Sequence, residues 1–350
     1  MQNTEVRSRS IRRLVCLALA AGAVQAQDGE QRFASLGDFR LESGAAIRDC
    51  RIGYRTWGKL DEARSNAVLF PTWFTGTTAQ LAPNFGPGKM VDPARYFIIA
   101  VDAIGDGVST SPSNSKSQPR MQFPKFSIRD IVESQHRLVT ETLGLTHLHA
   151  VIGISMGGMQ TFQWMVAYPD FFDRAVPIVG TPKLSAADTL LWEAERHAIE
   201  ADAAWDHGNY RQRPAAAMRT VSDIHNMALS TPAHYNSENR DKEMPAVLAD
   251  AEKATLELMD ANDWYRQLEA MLSHDIFRPF GGDMERAARA VKAKVTVIVA
   301  LKDHMVNPQA AMEFGRLLQA VIVALNSDCG HLSPGCEAQR VNAAVSSALE

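Results

Sequence analysis

The chain has 350 residues, 46% of them hydrophobic and 22% charged, with a formal net charge of -4 at pH 7. That balance excludes a disordered chain, and it lacks the basic footprint of a nucleic-acid binder, so no nucleic-acid partner is expected. The length suits one large α/β domain with a generous core, or such a domain carrying an insertion.

Residues 1–26 read as an export signal rather than as part of the fold. Arg7, Arg9, Arg12 and Arg13 precede an uncharged apolar segment from Leu14 to Val24, and Ala26 is the small residue that a signal peptidase accepts. A membrane-crossing helix needs about 20 apolar residues, and this segment is much shorter. The expectation is a periplasmic or secreted protein without a stable membrane anchor, its mature N-terminus at Gln27. Removal of the signal takes Cys16 with it and leaves Cys50, Cys329 and Cys336. In an oxidising compartment Cys329 and Cys336 are the favoured pair, closing a loop around His331. Buried reduced thiols compete equally with that pairing, because spacing alone does not fix geometry. No Cys and His at metal-ligand spacing appear, and no metal or cofactor is expected.

Short alternating segments from Phe33 to Gly58 predict an antiparallel hairpin. Asn66 to Phe70 and Tyr96 to Val101 are continuous apolar runs that predict buried strands, the first leading into Pro71-Thr-Trp-Phe-Thr-Gly76. A helix is predicted from Ser127 to Leu143, then a strand from Leu148 to Ile154, a turn at Gly153-Ile-Ser155-Met-Gly157, and a helix reaching Ala167. Arg174 to Gly180 is the next strand. The alternation then stops: from Lys183 to about Arg289 the composition predicts helices around Asp188 to Asp202, Pro214 to Leu229 and Pro245 to Leu272. Met218, Met227, Met244, Met259, Met271 and Met284 fall in or beside them, as core packing or, less favoured, as the lining of a cavity. Lys294 to Leu301 and Ala320 to Leu325 restart the sheet, and a terminal helix begins near Glu337. The division expected is a core in two parts, 27–182 and 290–350, with a helical lid insertion at 183–289. Strands alternating with helices imply a mostly parallel central sheet with helices on both faces.

The turn at Ser155 carries the chemistry. A strand, a G-x-S-x-G turn and a helix hold one serine exposed at the sheet edge, and the glycines are needed where a Cβ would collide with neighbouring backbone. A serine hydroxyl is a poor nucleophile at neutral pH and needs a base oriented by an acid. In this architecture the acid and the base lie on loops after the last two parallel strands, in the order Ser, Asp, His. Ser155, Asp303 and His331 satisfy it. His304 and Asp328 are the competitors on the same loops, and Asn326-Ser-Asp328 is ordinary turn chemistry. The oxyanion that develops during attack needs backbone donors, expected at Met156 and at Phe74, with Trp73 as the second choice for the latter.

These residues also carry a resemblance. Tyr54-Arg-Thr-Trp-Gly58, Gly86-Pro-Gly-Lys89 with Asp92, Gly153-Ile-Ser-Met-Gly-Gly-Met-Gln160, Trp164 and Tyr168-Pro-Asp170 resemble the homoserine O-acetyltransferase family of the α/β-hydrolase fold over most of the mature chain. The resemblance implies a Ser, Asp, His triad, an acyl-enzyme, and an oxyanion donor at the Phe74-Thr-Gly76 position. Members that acetylate homoserine have an aspartate directly after the catalytic histidine, which meets the substrate amine. Here that place is Leu332. Acetyl-CoA should also be scarce where an exported protein works.

The expected function is therefore exported serine-dependent acyl transfer from a small-molecule acyl substrate, with water favoured as acceptor, which makes it a hydrolase of esters or amides. The alternative is an acyltransferase with a small hydroxyl acceptor, homoserine or a similar one. A non-catalytic binding protein on the same fold is a remote third reading. A homodimer is compatible with the sequence.

Overall fold

The computed structural model describes residues 29–350; the segment read as an export signal lies outside them. Runs of Val, Ile, Leu and Phe too apolar to face water on either side become the middle of one sheet. β3 (Ala67–Pro71) and β4 (Phe97–Val101) are buried at every position. They are flanked by β1 (Arg32–Arg40) and β2 (Ala46–Trp57) on one side, and by β5 (Leu148–Ile154), β6 (Phe172–Ile178), β7 (Lys294–Ala300) and β8 (Val321–Leu325) on the other. The eight strands run in the order β1-β2-β4-β3-β5-β6-β7-β8. Only β1–β2 and β2–β4 pair antiparallel; the rest of the sheet is parallel.

Burial on both faces follows from the pleat. In β4, Phe97, Ile99 and Val101 enter one core layer and Ile98 and Ala100 the other. The first layer is closed by helices such as Met156–Ala167, through Met159 and Phe162. The second is closed by the terminal helix Ala338–Leu349, whose Val341, Val345 and Leu349 share one face and are almost fully buried. Each such side chain contributes roughly 1.5–3 kcal/mol by leaving water.

Within the described residues the predicted strands and helices are met in type and shifted at some ends. Ser127 caps its helix as expected, accepting from the Asp130 N–H at 3.1 Å while Asp130 accepts from the Ser127 N–H at 2.8 Å. The α-helix is shorter than predicted, Ile128–Arg137, and widens beyond it into a π-helical turn at Leu138–Thr142. The helix expected over Pro245–Leu272 is two, Met244–Leu258 and Ala261–Leu272. Met259 is extended between them, and Asp260 starts the second by accepting from the Asn262 N–H at 2.9 Å. Helices Ala186–Ala201, Ala215–Leu229, Pro232–Glu238 and Met284–Ala290 also lie between β6 and β7, where one isolated bridge joins Lys183 to Asp275. Met218, Met259 and Met271 are core, whereas Met227 and Met244 are exposed. Among the described residues no helix is long and apolar enough to cross a membrane.

A group of acids is sealed where the loop after β4 meets Ala261–Leu272. Asp106 accepts from the N–H of Val108 and Ser109 at 2.8 and 2.9 Å through one oxygen, and its other oxygen has no partner among the described residues. Asp263 accepts from the N–H and hydroxyl of Ser113. Burial pushes the Asp263 carboxyl up to about 8, and pushes Asp106 well above the carboxylate range with help from the nearby Asp102 charge. An acid whose folded pKa is raised holds its proton in the native state after the unfolded chain has released it near pH 4. Its stabilising contribution is full below pH 4 and is lost as pH rises toward 8. The unfolding temperature should therefore fall between pH 5 and 8. Asp263→Asn, which can keep both Ser113 contacts, should flatten that fall in part; an identical pH profile for the variant would show that Asp263 does not hold a proton.

Candidate active site

The glycines around Ser155 are explained by clearance. A Cβ on Gly153 would sit 2.1 Å from the Gly157 carbonyl oxygen, one on Gly157 would sit 2.7 Å from that of Pro71, and one on Gly158 would meet Gly180 Cα at 3.0 Å. Strand β5, the helix and the ends of β3 and β6 thus approach through backbone alone. Ser155 itself has φ 58° and ψ -120°, a conformation side chains rarely adopt. It is held there from two sides: its N–H donates to the Ile178 carbonyl at 2.8 Å, and its own carbonyl accepts from the Met159 N–H at 3.0 Å.

The loops after β7 and β8 bring the other two predicted residues to it. His331 Nε2 lies 2.8 Å from Ser155 Oγ, and His331 Nδ1 lies 2.7 Å from Asp303 Oδ2. The second Asp303 oxygen accepts from the N–H of Met305 and Val306 at 2.8 and 2.9 Å. An ionised carboxylate only accepts, so the proton on the imidazole sits at Nδ1 and leaves Nε2 free to accept from the serine hydroxyl. The imidazole and the carboxylate are almost fully buried, with side-chain exposures of 7% and 1%. Both competitors lie elsewhere. The Asp328 carboxylate faces outward to Lys302 Nζ at 2.6 Å, and His304 is exposed.

Ser155, Phe74 and His331 line one cavity of about 800 Å³. The N–H of Met156, the first residue of its helix, and that of Phe74 have no acceptor among the described residues. Two buried glutamines fix the Phe74 loop, the first of them against the serine turn. Gln160 donates to the carbonyls of Thr72 at 2.9 Å and Met156 at 3.1 Å. Gln267 accepts from the Thr75 N–H at 3.3 Å and donates to the Ile104 carbonyl at 3.2 Å. Gln160 is in turn bonded by Gln135, which accepts from the Trp164 indole at 2.8 Å. The last glutamine of the Ser-Met-Gly-Gly-Met-Gln run and the following Trp164 are therefore parts of one buried network.

The cavity walls are mainly apolar, with Leu332 among them at 44% exposure. Its methionines are Met90 and Met305, and none of the insertion methionines named above reaches it. Cys329 and Cys336 form a disulfide across the His331 loop, while Cys50 is a free buried thiol whose pKa burial raises to about 12. One feature of the wall escaped the sequence reading. His225 faces the cavity with its Nδ1 3.1 Å from the buried Glu195, which also accepts from the Trp264 indole at 3.0 Å. The available signal was Glu195 at helical spacing between Trp192 and Ile199, an acid on an apolar face.

Such an arrangement can activate a hydroxyl and stabilise an oxyanion beside it. The sequence profile of the family described as "alpha/beta hydrolase fold" matches residues 66–334. A probable esterase of Corynebacterium glutamicum is 34% identical over 315 residues, spanning 87% of this chain and 90% of the relative. The ethyl acetate hydrolase of Pseudomonas veronii is 31% identical over 318 residues, 88% of this chain and 91% of the relative. The homoserine O-acetyltransferase of Chloroherpeton thalassium is 33% identical over 290 residues, 78% of this chain and 76% of the relative. Among solved structures, that of an acetylester hydrolase from Corynebacterium glutamicum superimposes with a TM-score of 0.85 at 31% identity, covering 91% of this chain and 96% of that one. With an α/β-hydrolase sheet, a serine turn at its edge and these relatives along most of its length, the chain belongs to the homoserine O-acetyltransferase-like family of α/β-hydrolase-fold enzymes, which includes esterases.

Proposed function

We propose that the protein is an exported esterase that hydrolyses short acyl esters through Ser155, His331 and Asp303. The observation that carries this reading is the hydrogen-bonded series Ser155–His331–Asp303 at the floor of an apolar cavity. On attack, Ser155 Oγ bonds to the ester carbonyl carbon, and its proton passes to His331 Nε2. Asp303 keeps Nδ1 protonated and stabilises the imidazolium. The oxyanion is met by the N–H of Met156 and Phe74, in surroundings where little water screens them. The alcohol leaves with the proton from His331. Water then attacks the acyl-enzyme, giving a proton to the same nitrogen, and the acid and free serine are regenerated.

Water as acceptor is favoured by Leu332, which places an aliphatic side chain where the acetyltransferases of the family carry an acid for the substrate amine. The esterase relatives at 31–34% identity point the same way. Acyl transfer to a small hydroxyl acceptor is the second reading, supported by the 33% identical acetyltransferase. A panel of short acyl esters beside acetyl-CoA with homoserine separates the two, with hydrolysis expected to be the faster reaction. Transfer to homoserine outrunning ester hydrolysis would reverse the order of the readings.

A fluorophosphonate should add once, at Ser155, and Ser155→Ala should abolish labelling in the intact mass. His331→Ala and Asp303→Asn should lower kcat by several orders of magnitude, on the order of 10⁴ for the latter, with little change in KM. Asp328→Asn should be mild; severe loss there with a mild Asp303→Asn would assign the acid wrongly.

Leu332→Asp should raise reactivity toward homoserine roughly ten- to a hundredfold, as one partly buried charge pair of about 1.5–3 kcal/mol would. An unchanged rate for homoserine beside an altered rate for neutral esters would remove Leu332 from acceptor choice.

Export rests on the arginines and the apolar segment that open the sequence. N-terminal sequencing of protein from the native host should begin at Gln27, in the periplasm or medium. A cytoplasmic protein retaining Arg12 and Arg13 would overturn export.

A further inference from the structure

The histidine that the esterase mechanism does not use sits in the same cavity as the one that it does. Glu195 is fully buried, and each of its carboxylate oxygens has one partner: Oε1 the Nδ1 of His225, Oε2 the indole N–H of Trp264. Because an ionised carboxylate can only accept, His225 Nδ1 carries a proton, and the tautomer is fixed as it is at His331. The ring is also fixed in orientation. Phe74, Trp192 and Trp264 surround it at centroid distances of 6.0, 6.2 and 5.2 Å. The remaining nitrogen, Nε2, has no hydrogen-bond partner among the described residues, yet it is not one of the polar atoms sealed from solvent. His225 therefore presents Nε2 to the cavity as a polar point on an aromatic wall.

What such a point recognises follows from its two states. Neutral, Nε2 accepts a hydrogen bond; protonated, it donates one. An ester or ketone oxygen serves only the protonated state, and a carboxylate likewise. A hydroxyl group serves both, because it donates and accepts. We infer that His225, braced by Glu195 and Trp264, is a specificity-determining residue that anchors a free hydroxyl group of the substrate, so that hydroxyl-bearing esters are preferred over plain ones. This inference rests on the esterase reading and adds the substrate class to it. The hydroxyl can belong to the alcohol part, as in a monoester of a diol, or to the acyl part, as in a hydroxy acid ester.

Two pairs of substrates distinguish those sources: ethyl acetate against 2-hydroxyethyl acetate, and ethyl butanoate against ethyl 3-hydroxybutanoate. In the wild type, kcat/KM should favour the hydroxylated member of one pair by about tenfold, the worth of one hydrogen bond. In His225→Phe, which keeps a ring and removes both nitrogens, that ratio should fall to near one. His225→Gln retains a polar end and should recover part of it. The ratio is read on protein whose Ser155 still labels with a fluorophosphonate, so a misassembled variant is recognised as such and the Gln variant carries the comparison. A wild-type ratio near one in both pairs, or a ratio unchanged in His225→Phe, overturns the inference while leaving the esterase reading intact. Wild-type protein that neither labels at Ser155 nor hydrolyses any of the four esters overturns the esterase reading, and this inference with it.

Discussion

Everything at the site depends on three lengths of backbone meeting without side chains between them. Gly153, Gly157 and Gly158 let the end of β5 and the following helix come within contact distance of β3 and of Gly180 beyond β6. That approach allows residue 155 to be held at positive φ, with its hydroxyl at the sheet edge. A conformation of this kind costs of order 1–3 kcal/mol and persists only where the surroundings leave no alternative. Here the surroundings are the strand carbonyl of Ile178 and the first turn of the helix, both bonded to the backbone of Ser155.

The loop that presents Phe74 is fixed from below and from the side. Gln160 reaches it from the serine helix and Gln267 from helix Ala261–Leu272, each from a fully buried position. Asp102 adds a third tie, accepting from the Thr78 N–H at 2.7 Å and the Thr78 hydroxyl at 2.9 Å. Helix Ala261–Leu272 is thus joined by a polar contact to the very loop proposed to hold the oxyanion. A shift of Ala261–Leu272 would move the Thr75 N–H, and with it the donor beside it.

The strands, the serine turn and the three residues that meet at it were legible because each rests on a local signal. Apolar runs mark the buried strands, glycines mark the turn, and the acid and base fall on loops whose position the strand order dictates. The wall of the cavity was not legible in the same way. Trp192 and Glu195 come from one helix, His225 from a second and Trp264 from a third, and nothing in the spacing of one helix says which face of another it will meet. The break at Met259-Asp260 was missed because methionine is a good helix former and an aspartate within a helical pattern resembles a surface residue until its capping bond is seen. Spacing left the Cys329–Cys336 pairing open for a similar reason, since only the fold of the His331 loop brings their Cα atoms to 6.6 Å.

The distance between the three residues along the chain has a consequence in time. Ser155 and His331 are separated by 176 positions, and Asp303 and His331 by 28. At roughly 5–20 residues per second of synthesis, the serine turn precedes its histidine by about 9–35 s. The strands from β1 to β6 and the serine turn precede β7 and β8, whose following loops hold Asp303 and His331, and the pairing of β7 with β6 is non-local. A chain that folds in the order of its sequence holds Ser155 before His331 reaches it. Until the far edge of the sheet docks, the Ser155 hydroxyl lacks the imidazole that lies 2.8 Å from it in the folded chain.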